Sequence, residues 1–372
     1  MDNMMTSEKI HIGLLFGGNS SEHDVSKRSA HNIYDAMDKN KYEVSLFMFT
    51  KEGVLLGDAA SRRIFDGEPE AKVVADVLPT IDFTNPLANI MSLTEVKDID
   101  LFYPVIHGNM GEDGTIQGLF KLLDKPYIGS DVRSSAISFD KDLTKKMLTL
   151  NNIRNTKYLV VKANNRVEMS YAHISKELGD VVFIKPANQG SSVGIHKAHN
   201  EKEFLEGIED AFLYDTKILV EESIENPDEI ECSILGNTDL KASKLGAVIV
   251  PKSDVFYDYN NKFVDASGVE FEMPVELPDE LTKEIQDMSL RAFEVLGCRG
   301  LARIDFLVKD GIPYLGELNT LPGFTNISLY PQLWEVSGIG YSELIDKLIQ
   351  LAFDEHAAVK ELHYDFTELP EI

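Results

Sequence analysis

Four polar side chains late in the chain have the types and spacing of a site for metal and anion. In GLARIDFLVKDGIPYLGELNTLPGFT, residues 300–325, Arg303 and Asp305 stand two apart on a predicted strand and share a face. Ala302, Ile304 and Phe306 point the other way. Glu317 and Asn319 repeat the pattern on the next strand, with Leu318 opposite. Two carboxylates and an amide oxygen converging across a hairpin make a hard, oxygen-rich site suited to Mg2+. Any one of these acids read alone is a solvated hairpin face. Four polar groups on one face, directly before a glycine-containing loop, favour the site. Parity adds a constraint: a two-residue Asp310-Gly311 turn pairs Glu317 with Ile304, on the wrong face. A three-residue loop with Gly311 in the left-handed conformation is therefore expected.

A second stretch, FIKPANQGSSVGI (183–195), places Lys185 at a strand end before a loop of small residues. Exposed backbone N–H groups and hydroxyls from Asn188 to Ser192 suit phosphate oxygens. No GK[ST] follows, so this is not the Walker pattern, and a GSSxG hairpin alone is often only a turn. Upstream, FGGNSSEHDVS fails GxGxxG, and the next strand ends in Phe49-Thr50 rather than in a ribose-binding acid. That weakens a dehydrogenase reading. A third stretch, FYDYNNKF (256–263), is a polar loop carrying aromatics, of the kind that covers a site.

The elements that must hold these groups alternate. KIHIGLLFGG is a continuous apolar run that reads as a buried parallel strand. Ser21 and Asp24 have capping-box-like spacing at the start of a helix running to about Met37. KYEVSLFMFT and IDLFYPVIHG are further strands, and 53–95, rich in Asp, Glu, Ala and Pro, reads as a peripheral insertion. DKDLTKKMLTLNN is helical and opens a second unit. From about 222 a third unit holds an amphipathic helix whose face is Leu281, Ile285, Met288, Ala292 and Val295, with Pro278 before it and Gly297 after it. YSELIDKLIQLAF is a closing helix.

Composition sets the outer limits. The chain has 372 residues, 36 basic and 62 acidic, for a formal charge of −26. Such a balance argues against nucleic acid and anionic membranes as partners. It also requires positive charge to be gathered locally if the ligand is a polyanion. Cys232 and Cys298 form no metal or disulfide pattern. The amino terminus lacks the layout of a signal peptide, and no apolar run approaches the ~20 residues that span a bilayer. A cytoplasmic protein is expected.

LLFGGNSSEHDVS, PVIHGNMGEDGTIQG, SFDKDLTK, FIKPANQGSSVGI, FYDYNNKF, RIDF and GELNTLPGFT span positions 14 to about 329. In this order they resemble the ATP-grasp superfamily and, within it, the D-alanine–D-alanine ligase family. The resemblance implies an α/β protein with the three-domain ATP-grasp fold. Its parts would be residues 1–133, binding the first D-alanine, 134–221, and 222–372, with the ATP-grasp region over about 141–352. It implies that Lys141, Lys185 and Ser192 contact ATP phosphates and that Glu221 and Glu229 hold the adenine and ribose ends. Asp305, Glu317 and Asn319 match ligands of two Mg2+ ions, with Mn2+ the alternative metal. Glu22 matches the carboxylate that receives the ammonium of the first D-alanine, with Ser191 and His107 beside it. Ser328 and Leu329 match the residues that hold the carboxylate of the second substrate. Arg303 and the Gly323 N–H match the donors to the acyl oxyanion, and Lys262 adds charge from the loop at 256–263, which acts as a lid.

The implied reaction is ATP-dependent joining of D-alanine to a second D-substrate through an acyl phosphate, for peptidoglycan precursor and cell-wall synthesis, by a homodimer. In family members that make the dipeptide a tyrosine usually follows the loop lysine, and its hydroxyl links to the positions of Ser191 and Glu22. Here Phe263 stands there, which favours D-lactate as second substrate and D-alanyl-D-lactate as product. A strict D-alanine–D-alanine ligase is the alternative. A ligase of other substrates lacks Glu22 or the Ser328-Leu329 segment, and a non-catalytic ATP binder lacks one of Asp305, Glu317 or Arg303; all are present.

Overall fold

A computed structural model of the chain describes residues 9–80, 93–164, 170–249 and 270–363. Lys262, Phe263 and the 256–263 loop lie outside the described residues.

The first sheet is built on the continuous apolar run at the amino end. β1 (Ile10–Gly17) lies parallel to both β2 (Tyr42–Phe49) and a later strand, β4 (Leu101–Pro104). β3 (Leu55–Leu56) adds an antiparallel edge, giving the order β3-β2-β1-β4. Helices on both faces bury β1 almost throughout, which is why its sequence is apolar rather than alternating. α1 (His23–Ala36) turns Ser26, Ser29, Ala30 and Ile33 inward. Its N-cap is Glu22, with no side-chain capping bond, so the Ser21/Asp24 capping box does not form. The reason lies one residue upstream. Ser20 Oγ accepts the Glu22 N–H at 3.2 Å and donates to the His107 carbonyl at 2.7 Å. The helix start is thereby tied to the loop after β4, and the Glu22 carboxylate is left for other work. The segment expected to be peripheral supplies β3, α2 (Asp58–Phe65) and α3 (Glu70–Val77), and Leu56, Ile64 and Val73 sit in the same core as β1. Its described part is integral to the unit.

α4 (Thr115–Leu122), α5 (Val132–Phe139) and α6 (Lys141–Leu150) follow, with Asp140 capping α6 through bonds from the Asp142 and Leu143 amides. The second sheet is antiparallel: β5 (Tyr158–Lys162), β8 (Lys217–Glu222), β6 (Val182–Pro186) and β7 (His196–Ala198), in that spatial order. α7 (Tyr171–Leu178) and α8 (Glu201–Ala211) cover one face with Ile174, Phe204 and Ile208. Period-two alternation on β6 buries Val182 and Ile184 there and turns Lys185 to the opposite face.

The third sheet is antiparallel too: β9 (Asp228–Gly236), β10 (Lys241–Ile249), β11 (Glu270–Glu272), β12 (Gly300–Lys309) and β13 (Ile312–Asn319), in the order β11-β10-β9-β12-β13. α9 (Asp279–Val295) covers it with Ile285, Met288 and Ala292, the face read from periodicity, and Gly297 follows at φ +67°. α10 (Leu329–Val336) leads to α11 (Tyr341–Lys360). Leu344, Ile345 and Leu348 of α11 join Ile12, Leu14 and Phe16 in one core. Asp346 accepts hydrogen bonds from Lys41 Nζ at 2.6 Å and from the Tyr42 hydroxyl at 2.7 Å. The last described helix thus closes on the first sheet, and its Tyr341 hydroxyl donates to the Phe324 carbonyl in the 320–328 loop. None of the helices among the described residues is long and apolar enough to cross a membrane.

Candidate active site

The β12–β13 hairpin presents the four residues on one face, though not by the expected route. Lys309 pairs with Ile312, so the turn has two residues, Asp310 (φ +52°) and Gly311 (φ +74°). Parity is restored by a bulge. Asp305 pairs with Glu317 and Phe306 with Leu315, which leaves Gly316 as the extra residue. A Cβ at Gly316 would lie 3.3 Å from the Asp305 carbonyl, so glycine suits the close approach. The three-residue loop is replaced by a tight turn plus a bulge placed beside the functional residues.

Across this face Arg303 is held between two acids. Its Nε and terminal nitrogen donate to the two oxygens of Asp305 at 2.8 and 2.7 Å, and Nε is 2.9 Å from Glu231 Oε2. Burial works against the guanidinium charge, but Asp305 and Glu231 outweigh it and raise its pKa well above the ordinary value. Asn319 Nδ2 donates to Asp305 at 3.1 Å. Glu231 was missed in the sequence, although Glu229, Glu231 and Ser233 alternate along β9 and register beside Leu307, Asp305 and Arg303.

The Asp305, Glu317 and Asn319 set fits a hard divalent cation in its chemistry. All three can offer oxygen ligands, two of them anionic, on adjacent strand positions. Among the described residues no group of three or more His, Cys, Asp or Glu side chains could hold a metal by itself. Two carboxylates and one amide leave most of an octahedral shell to phosphate oxygens and water, as Mg2+ sites at nucleotides commonly do.

Facing the hairpin is the glycine-serine loop. Ser191 (φ +53°) and Ser192 (φ +59°) are both left-handed, an uncommon state for non-glycine residues that points to a functional constraint. Lys141, at the first position of α6, donates to the Gln189 carbonyl at 2.5 Å and lies 3.8 Å from Glu317 Oε2. Its charge gains nothing from the positive end of the helix dipole and belongs to the site. Between loop and hairpin is an open cleft lined by Glu112, Lys141, Gln189, Gly190, Glu317 and Asn319, among others. Glu112 accepts the Gly108 N–H at 2.7 Å. Burial, with the Glu22 charge adding to it, pushes its carboxyl up to about 8.

Beneath the cleft lies an ion cluster. Lys185 Nζ donates to Glu221 Oε2 at 2.9 Å, and Lys145 Nζ lies 3.5 Å from Glu221 Oε1 while donating to Thr156 Oγ1 at 2.6 Å. Burial alone would raise the Glu221 carboxyl, but Lys145 and Lys185 hold it at about 2. Lys145 is almost fully buried. It too escaped the sequence reading, because in DKDLTKK it resembles any solvated helix lysine. Glu229 stands near enough for its charge to favour charged Lys185.

Glu22 comes to the same place from the first sheet. A Cβ at Gly108 or at Gly190 would lie 3.6 Å from Glu22 Oε2, so the carboxylate sits between the loop after β4 and the glycine-serine loop. The 320–328 loop completes the arrangement. His107 Nδ1 is 3.0 Å from the Leu321 carbonyl. A Cβ at Gly323 would meet Ser328 Oγ at 2.8 Å, so a larger residue there would displace the Ser328 hydroxyl. Ser328 Oγ accepts the Thr325 N–H at 3.0 Å and lies 2.8 Å from Thr325 Oγ1. The Leu329 side chain is buried, which leaves its backbone as the part able to face a ligand.

Profiles described as the D-ala D-ala ligase N-terminus and C-terminus match residues 11–130 and 147–350. The D-alanine–D-alanine ligase of Lactiplantibacillus plantarum is 69% identical over 367 residues, covering 98% of this chain and 99% of that protein. Among solved structures, the D-alanine–D-alanine ligase from Coxiella burnetii matches with a TM-score of 0.78 at 33% identity, covering 95% of this chain and 98% of that one. The VanG D-Ala:D-Ser ligase from Enterococcus faecalis matches with a TM-score of 0.75 at 31% identity, covering 93% of this chain and 100% of that one. The three sheets with their helices form the three-domain ATP-grasp fold, and this chain belongs to the D-alanine–D-alanine ligase family.

Proposed function

We propose that the protein uses ATP to join D-alanine to a second D-substrate through an acyl phosphate, for peptidoglycan precursor synthesis. The observation that carries this reading is the meeting of Glu22, Lys141 and Glu317 around one cleft, with Arg303 and Asp305 on the same hairpin face as Glu317. In the first step a carboxylate oxygen of D-alanine attacks the γ-phosphorus and the bond to ADP breaks. Such transfer needs positioning and charge neutralisation more than covalent help. Glu22 receives the ammonium beside Ser191, and Lys141, Lys185 and the Ser192 segment hold the phosphates. Glu221 and Glu229 serve the adenine and ribose ends, and Glu221 also keeps Lys185 charged and fixed. Two Mg2+ or Mn2+ ions held by Asp305, Glu317 and Asn319 would supply further positive charge at the transferring phosphoryl group. In the second step the nucleophile of the second substrate, its carboxylate held at Ser328 and Leu329, attacks the acyl carbon. Phosphate leaves with the bonding electrons, and the nucleophile gives up its proton. Arg303 and the Gly323 N–H stabilise the oxyanion.

The name of the Lactiplantibacillus plantarum relative supports D-alanine as the second substrate. A second reading rests on Phe263. The family resemblance implies a tyrosine hydroxyl linked to the positions of Ser191 and Glu22; phenylalanine has no hydroxyl to offer, a loss of about 1.5–3 kcal/mol for a bond near charged partners. That is enough to reorder two substrates differing by one atom, and D-lactate then competes. The amine of D-alanine must shed a proton before attack, whereas D-lactate brings a neutral hydroxyl. The dipeptide should therefore gain with rising pH and the depsipeptide on the acidic side of neutrality. The same reading makes the enzyme a cytoplasmic homodimer.

A competition assay with equal D-alanine and D-lactate across pH, on wild type and Phe263→Tyr, tests both. A depsipeptide share that falls with pH and shrinks in Phe263→Tyr is the expected result for D-lactate. Dipeptide alone at every pH removes the D-lactate reading and leaves the dipeptide ligase. Neither product, with ATP and Mg2+ present, overturns the proposed function.

A further inference from the structure

Ser29 has no part in the reaction as described, yet it sits where the first sheet meets the 320–328 loop. It is fully buried on the inner face of α1, seven residues beyond Glu22. Its Oγ accepts the Phe324 N–H at 3.2 Å and lies 3.4 Å from His107 Nε2. On the other side of the ring, Nδ1 is 3.0 Å from the Leu321 carbonyl. A carbonyl only accepts, so Nδ1 carries the hydrogen and Nε2 is the bare acceptor of the neutral ring. The Ser29 hydroxyl then donates to Nε2 while its oxygen accepts from Phe324. Every donor in this circuit has one acceptor, and it closes only in one direction and with one tautomer. Burial lowers the His107 pKa, in agreement with a neutral ring. The two main-chain groups that the circuit grips, the Leu321 C=O and the Phe324 N–H, bracket Gly323.

We propose that Ser29 is a positioning residue for acyl transfer: through neutral His107 it locks the backbone around Gly323, so that α1 aligns the oxyanion donor as well as the first substrate. This rests on the proposed role of the Gly323 N–H. His107 acts here as a positioning group rather than an acid or base, since both of its nitrogens are committed.

Ser29→Ala removes the acceptor for Phe324 and the donor to His107. With D-alanine and ATP, trapping of the acyl phosphate by hydroxylamine should stay within about threefold of wild type, and the KM for ATP should not change. Product formation with the second substrate should fall on the order of 10–100-fold, the scale of an ångström-level misplacement. Ser29→Thr keeps the hydroxyl and should recover most of the loss. A merely structural role predicts the opposite order, because threonine adds a methyl to a fully buried position and should be worse than alanine. Parallel loss of both half-reactions, or Ser29→Thr no better than Ser29→Ala, overturns the proposal. Failure of the underlying ligase reading shows separately, as wild type that forms no hydroxamate. The circuit itself is then decided by 15N NMR of histidine-labelled full-length enzyme. A protonated Nδ1 and bare Nε2 on His107 support it, and the reverse tautomer overturns it.

Discussion

Replacing Glu317 with glutamine should leave a folded protein that has lost activity on the order of 10²–10³-fold at limiting Mg2+. That is the scale for removing one preorganised group at a reacting centre. The side chain is 42% exposed and Lys141 is 3.8 Å away, so that ion pair contributes little to stability. The change is therefore functional rather than structural. A neutral amide keeps the shape but weakens the hold on a divalent ion and leaves Lys141 without its counter-charge at the cleft. Turnover should recover partly as Mg2+ is raised. Near wild-type turnover at limiting Mg2+, with an unchanged melting temperature, would contradict the assignment of Glu317.

Arg303→Lys should cost a similar amount for a different reason. The guanidinium engages Asp305 through two nitrogens and Glu231 through one, a fork that an ammonium cannot reproduce. Lysine would keep the charge but release the carboxylates it held apart, and would lose the fixed donor toward the acyl oxyanion. The expected result is a kcat lower by about 10²–10³-fold with the KM for ATP little changed. A kcat within threefold of wild type would remove Arg303 from the oxyanion site.

What the sequence could reveal here follows from period and local chemistry. Alternation exposed the Arg303/Asp305 and Glu317/Asn319 face, and helical periodicity exposed the buried face of α9, because each depends on neighbours a few residues apart. The hairpin shows the limit. Parity required one extra residue between the strands, yet a loop at Gly311 and a bulge at Gly316 satisfy it equally, and only three-dimensional pairing selects the bulge. Ser21 and Asp24 had the spacing of a capping box, but Ser20 bonded across to His107, a partner 87 positions away. Lys145, Glu231 and Ser29 were missed for the same reason. As single residues they are ordinary, and what distinguishes them is a partner on another element: Glu221 for Lys145, Arg303 for Glu231, and His107 with Phe324 for Ser29. Glu112 reads as a surface acid in GEDG, and only its burial beside Glu22 and the cleft reveals a carboxyl pushed up to about 8.

Activation of D-alanine in this cleft at the expense of ATP is what the proposed function turns on. It is tested most directly by phosphate release from ATP and Mg2+ by the purified full-length chain, measured with no amino acid, with L-alanine and with D-alanine. Release with D-alanine should saturate, with only background for L-alanine or without amino acid: if Glu22 beside Ser191 receives the ammonium and Lys141 holds the phosphate, only one enantiomer can present its carboxylate in line with its methyl group accommodated. Equal release with both enantiomers, or none with D-alanine, would contradict it.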